Sequence, residues 1–361
     1  MRGVYIHIPF CKSICSYCDF CKFIYNSSWV NKYLSVLSNE IDEYYDNEEV
    51  KSIYIGGGTP SILDKNQLST LGNIIKKFNL SSNIEFTFEI NVNDITDELL
   101  SSLYSMGVNR LSIGVESFNN ENLKYLNRKH TRKEISNNIK KCRSYGFDNI
   151  SIDIIYALPN ESISTVKKDI KEALRLKTEH ISTYSLIIED NTVLGVKKVK
   201  PIDEDTDAKM YNIVKRILRK NNYIHYEVSN FSKEGYSSIH NMIYWDNQEY
   251  YGFGLGASGY IDNIRYTNTR SFNSYLIGKY RKEELFISKR ETMENEIMLG
   301  LRKIKGIDIK DFFLKYNINI QDEFNITDLI KEKLLVLDGS MLRISEDNIY
   351  IMNEIINMII S

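Results

Sequence analysis

Proline and tryptophan are scarce in this chain, with 4 and 2 residues among 361. No low-complexity linker and no internal repeat is present, which excludes a repeat array or a string of tethered modules. No apolar run approaches the roughly 20 residues that a helix needs to span a bilayer. Neither sign of charge is in excess. The chain carries 46 Lys and Arg against 48 Asp and Glu, a net charge of −2, which argues against a general nucleic-acid surface. Strand-forming residues begin almost at the first position, leaving no room for a secretory signal, so the expectation is a cytoplasmic protein. Cysteine is also rare, with five residues, and a disulfide framework is not expected outside an oxidising compartment.

The length suits roughly two domains. The hydrophobic fraction of 42% and charged fraction of 26% are ordinary for a globular protein. The distribution of the few cysteines is not ordinary. Cys11, Cys15, Cys18 and Cys21 all fall just after the first strand-like run, Val4–Pro9. Clustered thiolates are soft ligands that favour zinc or an iron–sulfur cluster. Their Cys-x3-Cys-x2-Cys spacing differs from the paired Cys-x2-Cys units of zinc ribbons, although Cys21 offers a fourth ligand for a structural zinc. The spacing resembles that of the radical S-adenosylmethionine superfamily. The resemblance implies that Cys11, Cys15 and Cys18 hold three irons of a 4Fe–4S cluster. The fourth iron is left open for the amino and carboxylate groups of S-adenosylmethionine.

Short runs dense in Ile, Val, Tyr and Phe alternate with longer helical patterns. Val4–Pro9, Ser52–Gly56, Ile84–Ile90, Arg110–Val115, Asn149–Ile155 and His180–Leu186 read as buried parallel strands. Helices are expected near Trp29–Tyr45, Lys65–Phe78, Asp97–Met106, Asn120–Leu126, Arg132–Tyr145 and Ser162–Leu176, with Asp94 and Thr131 as N-caps and Gly107 and Gly146 as stops. Six strand–helix units give either a doubly wound sheet or a barrel, and in both the ligands gather at the C-terminal ends of the strands. The resemblance selects an α/β fold with a partial (β/α)6 barrel over residues 1–190. Residues 191–285 read as a helix, Asp205–Asn221, and a small β element with strands at Ile224–Asn230, Gly252–Tyr260 and Arg265–Asn268. Residues 286–361 read as a helical, winged-helix-like domain in which Ile326–Leu334, Leu335–Leu337 and Met341–Ile344 form helix, strand and strand.

Unusual residues cluster just after the strands. Gly56-Gly57-Gly58-Thr59-Pro60 follows the second, and glycine lets backbone groups approach a ligand closely. Glu89 ends the third, Glu116 ends the fourth, Arg128 follows the next helix, and Asp153 lies in the fifth. A carboxylate at a strand end can accept two ribose hydroxyls, and an arginine can clamp a carboxylate with a bidentate pair. Each residue alone reads as a surface salt-bridge partner; their order on successive strands is what carries the case.

These segments resemble the oxygen-independent coproporphyrinogen III oxidase family almost end to end. The resemblance implies that Tyr5 packs by the cluster and S-adenosylmethionine. It also implies that the Gly56–Thr59 loop contacts the methionine amino group, and that Glu89, Glu116, Arg128 and Asp153 hold the methionine or ribose parts. Two positions depart from the family pattern: Glu116 stands where Gln is usual, and Ala157 where Gly is usual. Within the family, two features match the heme-chaperone (HemW-type) branch. No arm precedes the first strand, and Phe20 occupies the position of the oxidases' fourth cysteine. A third is His240-Asn241-Met242-Ile243-Tyr244-Trp245, which resembles the His-Asn-x-x-Tyr-Trp motif associated with heme in that branch. Imidazole is a good heme-iron ligand; the same motif also reads as a structural turn with a packed His and Trp.

The expectation is a chaperone with a 4Fe–4S cluster, S-adenosylmethionine and heme as cofactors or cargo. Its partners are a reductant and an apo-hemoprotein acceptor, and oxidase activity is not expected. The alternative is a coproporphyrinogen III oxidase or another radical tetrapyrrole enzyme. Cys21 is read as a non-ligand.

Overall fold

The computed structural model describes residues 2–360. Six strands form its centre: β1 (Arg2–Ile8), β2 (Val50–Gly57), β3 (Leu80–Asn91), β4 (Arg110–Glu116), β5 (Ile150–Tyr156) and β6 (His180–Ser185). Each pairs in parallel with the next in sequence. The order never reverses, so the sheet curls into a partial (β/α)6 barrel and has no doubly wound switch point. Its helices are α1 (Ser27–Tyr44), α2 (Lys65–Ile75), α3 (Asp97–Met106), α4 (Asn120–Tyr125), α5 (Arg132–Ser144) and α6 (Ile163–Arg175).

The side-chain period of two explains where the core sits. Ile53 and Ile55, Phe86 and Phe88, Leu111 and Ile113, and Ile150 and Ile152 are fully buried, on the face that packs against the helices. The alternate residues Ser52, Tyr54, Thr87, Glu89, Arg110, Ser112, Ser151 and Asp153 make the inner face of the barrel polar. Thr131 caps α5 through a capping box with Glu134, and Gly107 ends α3 with φ of 91°. The cap expected at Asp94 lies instead at Thr96, whose hydroxyl accepts from Leu99 N at 3.1 Å. The Asp94 carboxylate is already engaged by Lys12 Nζ at 2.7 Å and Ser61 Oγ at 3.0 Å.

The sheet continues at both ends to twelve strands. The strand expected over Ile224–Asn230 is two, β7 (Ile224–Glu227) and β8 (Asn230–Ser232), which fold back antiparallel on β6. The chain turns at Val228, whose N–H is taken by Arg302 O at 3.1 Å. The strand expected over Gly252–Tyr260 also splits, into β9 (Tyr250–Phe253) and β10 (Ser258–Ile261), because Gly254 and Gly256 adopt φ of 97° and 69°. β9 runs parallel to β1, and β11 (Ile264–Asn268) and β12 (Arg281–Phe286) extend the edge. Of the intervening helices, α7 (Val193–Val196) and α8 (Glu204–Lys220) follow β6, and α9 (Ile239–Trp245) packs on β1 and β2.

The C-terminal unit begins with α10 (Lys289–Gly300) and contains a small antiparallel sheet of β13 (Ile307–Asp308), β14 (Leu335–Asp338) and β15 (Met341–Ile344). It ends in α11 (Met352–Ile360). Among the described residues, no helix is long and apolar enough to cross a membrane.

Candidate functional site

The cysteine loop leaves β1 and is tied down at several points. His7 Nε2 bonds Cys21 O at 2.7 Å, Ser16 Oγ donates to Tyr125 O at 2.8 Å, and Asn127 Nδ2 donates to Ile14 O at 2.8 Å. These contacts bring Cys11, Cys15 and Cys18 to the rim of one cavity of about 650 Å³ at the C-terminal ends of the strands. Cys21 is not among its lining residues. It is buried beside Arg270 and packs where a Cβ on Gly256 would lie. Burial pushes the Cys11 thiol up to about 11, against a hydrogen bond from Thr59, whose hydroxyl lies 3.4 Å from the sulfur. Among the described residues, no three His, Cys, Asp or Glu side chains stand close enough to hold a single metal ion. In a cubane cluster each of the three thiolates would take a different iron.

The glycine loop lies against this cysteine segment. Gly58 N donates to Ile8 O at 2.9 Å, and Thr59 N donates to Phe10 O at 2.8 Å. A Cβ on Gly58 would lie 2.8 Å from the backbone of Ile8 and Phe10, so only glycine allows this approach. Glu89 accepts from Tyr54 OH at 2.8 Å and Gly57 N at 3.0 Å. Burial pushes its carboxyl up to about 7, with Asp153 adding to the rise and the Tyr54 hydrogen bond opposing it.

Glu116 sits at a bulge with φ of 64° and pairs with Arg128 Nη2 at 3.3 Å. Burial raises it to about 6, against the pull of Arg128. Arg128 also donates to Gly114 O at 2.5 Å and lies 3.6 Å from Cys15 Sγ. The acid at the position where Gln is usual thus serves as the arginine's ion-pair partner. Asp153 accepts from Ser112 Oγ at 3.3 Å, and burial raises its pKa. Ala157, where Gly is usual, adopts φ of 60° just after β5, a conformation that costs a residue with a Cβ.

Ten of the thirteen residues singled out from the sequence line this cavity: Cys11, Cys15, Cys18, Gly57, Gly58, Thr59, Glu89, Glu116, Arg128 and Asp153. Tyr5, Gly56 and His240 do not. Gly56 lies behind Glu89, whose carboxylate would be 2.7 Å from a Cβ there. Tyr5 lies mid-strand, with its hydroxyl 2.9 Å from His7 Nδ1 and its ring centroid 6.1 Å from that of Tyr54.

His240 lies away from the cavity. It belongs to α9, which closes the N-terminal end of the barrel. The Glu85 carboxylate caps this helix through Ile239 N and His240 N, both at 2.9 Å. His240 is 1% exposed. Its Nδ1 lies 2.8 Å from Ser52 Oγ and its Nε2 2.7 Å from Tyr244 OH. Burial lowers its pKa to about 3, so the ring is neutral and both nitrogens are engaged. Both ring nitrogens therefore face neighbouring side chains in this structure. Its ring stacks on Tyr54 with centroids 5.2 Å apart, and Tyr54 in turn holds Glu89.

Several lining residues went unnamed at the level of sequence. Tyr54 and Ser112 follow from strand alternation, two positions before Gly56 and Gly114. Arg302, Tyr350 and Met352 come from the C-terminal unit and also face the cavity. No local motif marks them.

Comparison with known proteins adds the lineage. The radical SAM superfamily profile matches residues 5–173, and the HemN C-terminal domain profile matches residues 287–350. A heme chaperone HemW from Lactococcus lactis is 40% identical, covering 98% of this chain and 96% of its own length. One from Bacillus subtilis is 36% identical, covering 98% of both. The solved coproporphyrinogen III oxidase (HemN) from Escherichia coli shares the fold, with a TM-score of 0.88 at 20% identity over 99% of this chain and 89% of that one. At 40% and 36% identity along nearly its whole length, the chain belongs to the HemW heme-chaperone family of the radical S-adenosylmethionine superfamily.

Proposed function

We propose that this protein holds a 4Fe–4S cluster on Cys11, Cys15 and Cys18 and S-adenosylmethionine in the adjoining cavity, and that it carries heme for delivery to apo-hemoproteins. The observation that carries this reading is the convergence of Cys11, Cys15, Cys18, the glycine loop, Glu89, Glu116, Asp153 and Arg128 on a single cavity. The names of the HemW relatives support heme as the cargo.

A bound cluster supplies an open iron and an electron-transfer centre that a reductant can load. The chain's own groups do the rest. Gly57–Thr59 bring backbone groups up to the ligand. Glu89, poised near pH 7, releases its proton when the methionine ammonium arrives. Arg128 has one carboxylate partner already and donates to a second. Asp153 accepts from ribose hydroxyls. Residues 1–190 provide this machinery, residues 191–285 the barrel floor and part of the wall through Tyr211, Val228 and Ser229, and residues 286–361 the rest of the wall.

Anaerobic reconstitution tests the reading. Wild-type protein should take up about four irons per chain for one such cluster, give a reducible cluster signal and bind heme with a Soret band. Cys11→Ala, Cys15→Ala and Cys18→Ala should each lose most of the iron. No conversion of coproporphyrinogen III is expected under reducing conditions. Robust turnover would transfer the assignment to the oxidases, and failure to bind heme would end the chaperone reading.

A further inference from the structure

Two arginines serve the barrel interior, and they are placed differently. Arg128 is taken by Glu116 at 3.3 Å. Arg110, the first residue of β4, is only 2% exposed. Among the described residues, its guanidinium has no carboxylate within ion-pair distance, its Nε has no partner, and its Nη1 lies 3.4 Å from Thr87 Oγ1. A buried cation without a close anion is costly, so its place in the barrel needs a reason. Strand register supplies one. Arg110 stands opposite Thr87, and Ser112, two positions on along the same face, stands opposite Glu89 and Ser151. Ser112 Oγ lies 3.3 Å from Asp153 Oδ2. Arg110 is therefore one side-chain layer, about 7 Å along the strand, below the layer that carries Glu89 and Asp153. Further down, the Glu85 carboxylate is committed to Ile239 N and His240 N, both at 2.9 Å. Burial keeps His180 and His240 neutral there, and Arg110 adds to that effect. The charge of Arg110 thus acts mainly upward, on the acid layer. Burial raises the Asp153 carboxyl, and a Ser182 hydrogen bond and then Arg110 oppose the rise, ahead of Arg128. The other titratable groups around Asp153 are Tyr54 from β2, Glu89 from β3, Glu116 from β4 and Tyr184 from β6. None of these four supplies positive charge.

We propose that Arg110 is a positioning residue for S-adenosylmethionine: from the layer below, its charge holds Asp153 as a carboxylate, the form that accepts both ribose hydroxyls. This rests on the S-adenosylmethionine reading above. Arg110 touches no ligand in this role and acts only through Asp153. A carboxylate is acceptor-only, whereas a protonated Asp153 carries an O–H donor of its own and gives up acceptor capacity. In a barrel interior of low dielectric, a charge one layer away still acts strongly. Guanidinium suits the position because it stays charged when buried, where a lysine ammonium more readily loses its proton.

The test is calorimetric titration of the reconstituted full-length protein with S-adenosylmethionine between about pH 6 and 9, a range wide enough to follow a carboxyl raised by several units. Removing a neighbouring cation raises a carboxyl's pKa, so Arg110→Gln should weaken binding by about tenfold at pH 7 for each unit of rise. The loss should shrink as the pH climbs and Asp153 ionises. In an Asp153→Asn background the same Arg110→Gln change should alter affinity by less than about twofold, because the group it acts through no longer titrates. A loss that is the same at every pH, or equally large in the Asp153→Asn background, overturns the counter-ion role and leaves Arg110 a structural residue. If the glutamine variant does not fold, Arg110→Lys carries the test. It keeps a charge while losing the guanidinium, so its pH profile should stay within about half a unit of wild type, and a profile displaced upward by a full unit or more overturns the proposal. Wild type that binds no S-adenosylmethionine overturns the ligand reading itself; the two failures are told apart because only the first leaves wild-type binding intact.

Discussion

Replacing Glu89 by glutamine probes the balance between fold and ligand most directly. The Glu89 carboxyl, ordinarily near 4.5, is raised to about 7 by burial. The folded protein therefore holds this proton to a higher pH than the unfolded chain. Where the native state binds more protons, stability falls as pH rises. The contribution is fully present below about 4.5 and is lost as the pH climbs through about 7. A displacement of this size corresponds to about 3 kcal/mol. Glutamine is a benign replacement in shape. Its amide oxygen accepts from Gly57 N, and its NH2 donates to the Tyr54 hydroxyl, which turns from donor to acceptor. Urea unfolding of cluster-free wild type and Glu89→Gln at pH 4.5 and 8 should give near-equal stabilities at the lower pH. At the higher pH the variant should be more stable by about 3 kcal/mol. The same variant should bind S-adenosylmethionine more weakly, since it has no charge for the ammonium. In wild type, binding should tighten between pH 6 and 8 with release of a proton. Parallel pH profiles for the two proteins would refute the argument, since then Glu89 titrates alike in both states.

Asp153→Ala should weaken S-adenosylmethionine binding by about 1.5–3 kcal/mol if the carboxylate accepts ribose hydroxyls, and unchanged calorimetric affinity would remove it from the site. Cys21→Ala should leave the iron content intact, because Cys21 lies outside the cavity; loss of the cluster in this variant alone would reassign the ligands. His240→Ala strips partners from Ser52 and Tyr244 and empties a buried site, so stability should fall by about 2–4 kcal/mol while the folded protein keeps its Soret band. A vanished heme spectrum with an unshifted urea midpoint would overturn the barrel-floor role. Ala157→Gly should raise stability by about 1 kcal/mol through relief of the positive φ, measured as a shifted unfolding midpoint.

Much of this protein is local information. Strand–helix alternation, the Thr131 capping box and the Gly107 stop are set by residues within a few positions of one another, and they were legible because propensity, period and capping act over that range. The cysteine triplet and the acids at successive strand ends were legible for a related reason: parallel strands bring their C-terminal ends together whatever the rest of the chain does. Strand order was not legible, since six strand–helix units suit two topologies and only packing chooses. Nor was the break at Val228, which depends on Arg302 from the C-terminal unit. The motif at His240 shows the same limit. Its six residues are equally compatible with an open ligand and a buried plug, and the decision rests on Ser52 and Glu85, 188 and 155 residues away. Arg302, Tyr350 and Met352 have no signature at all, because their place in the cavity comes from docking the C-terminal unit against the barrel. The sequence by itself determined which side chains could do chemistry; the tertiary structure decided which of them share a cavity, because that depends on contacts between segments hundreds of residues apart, where local backbone preference has no reach.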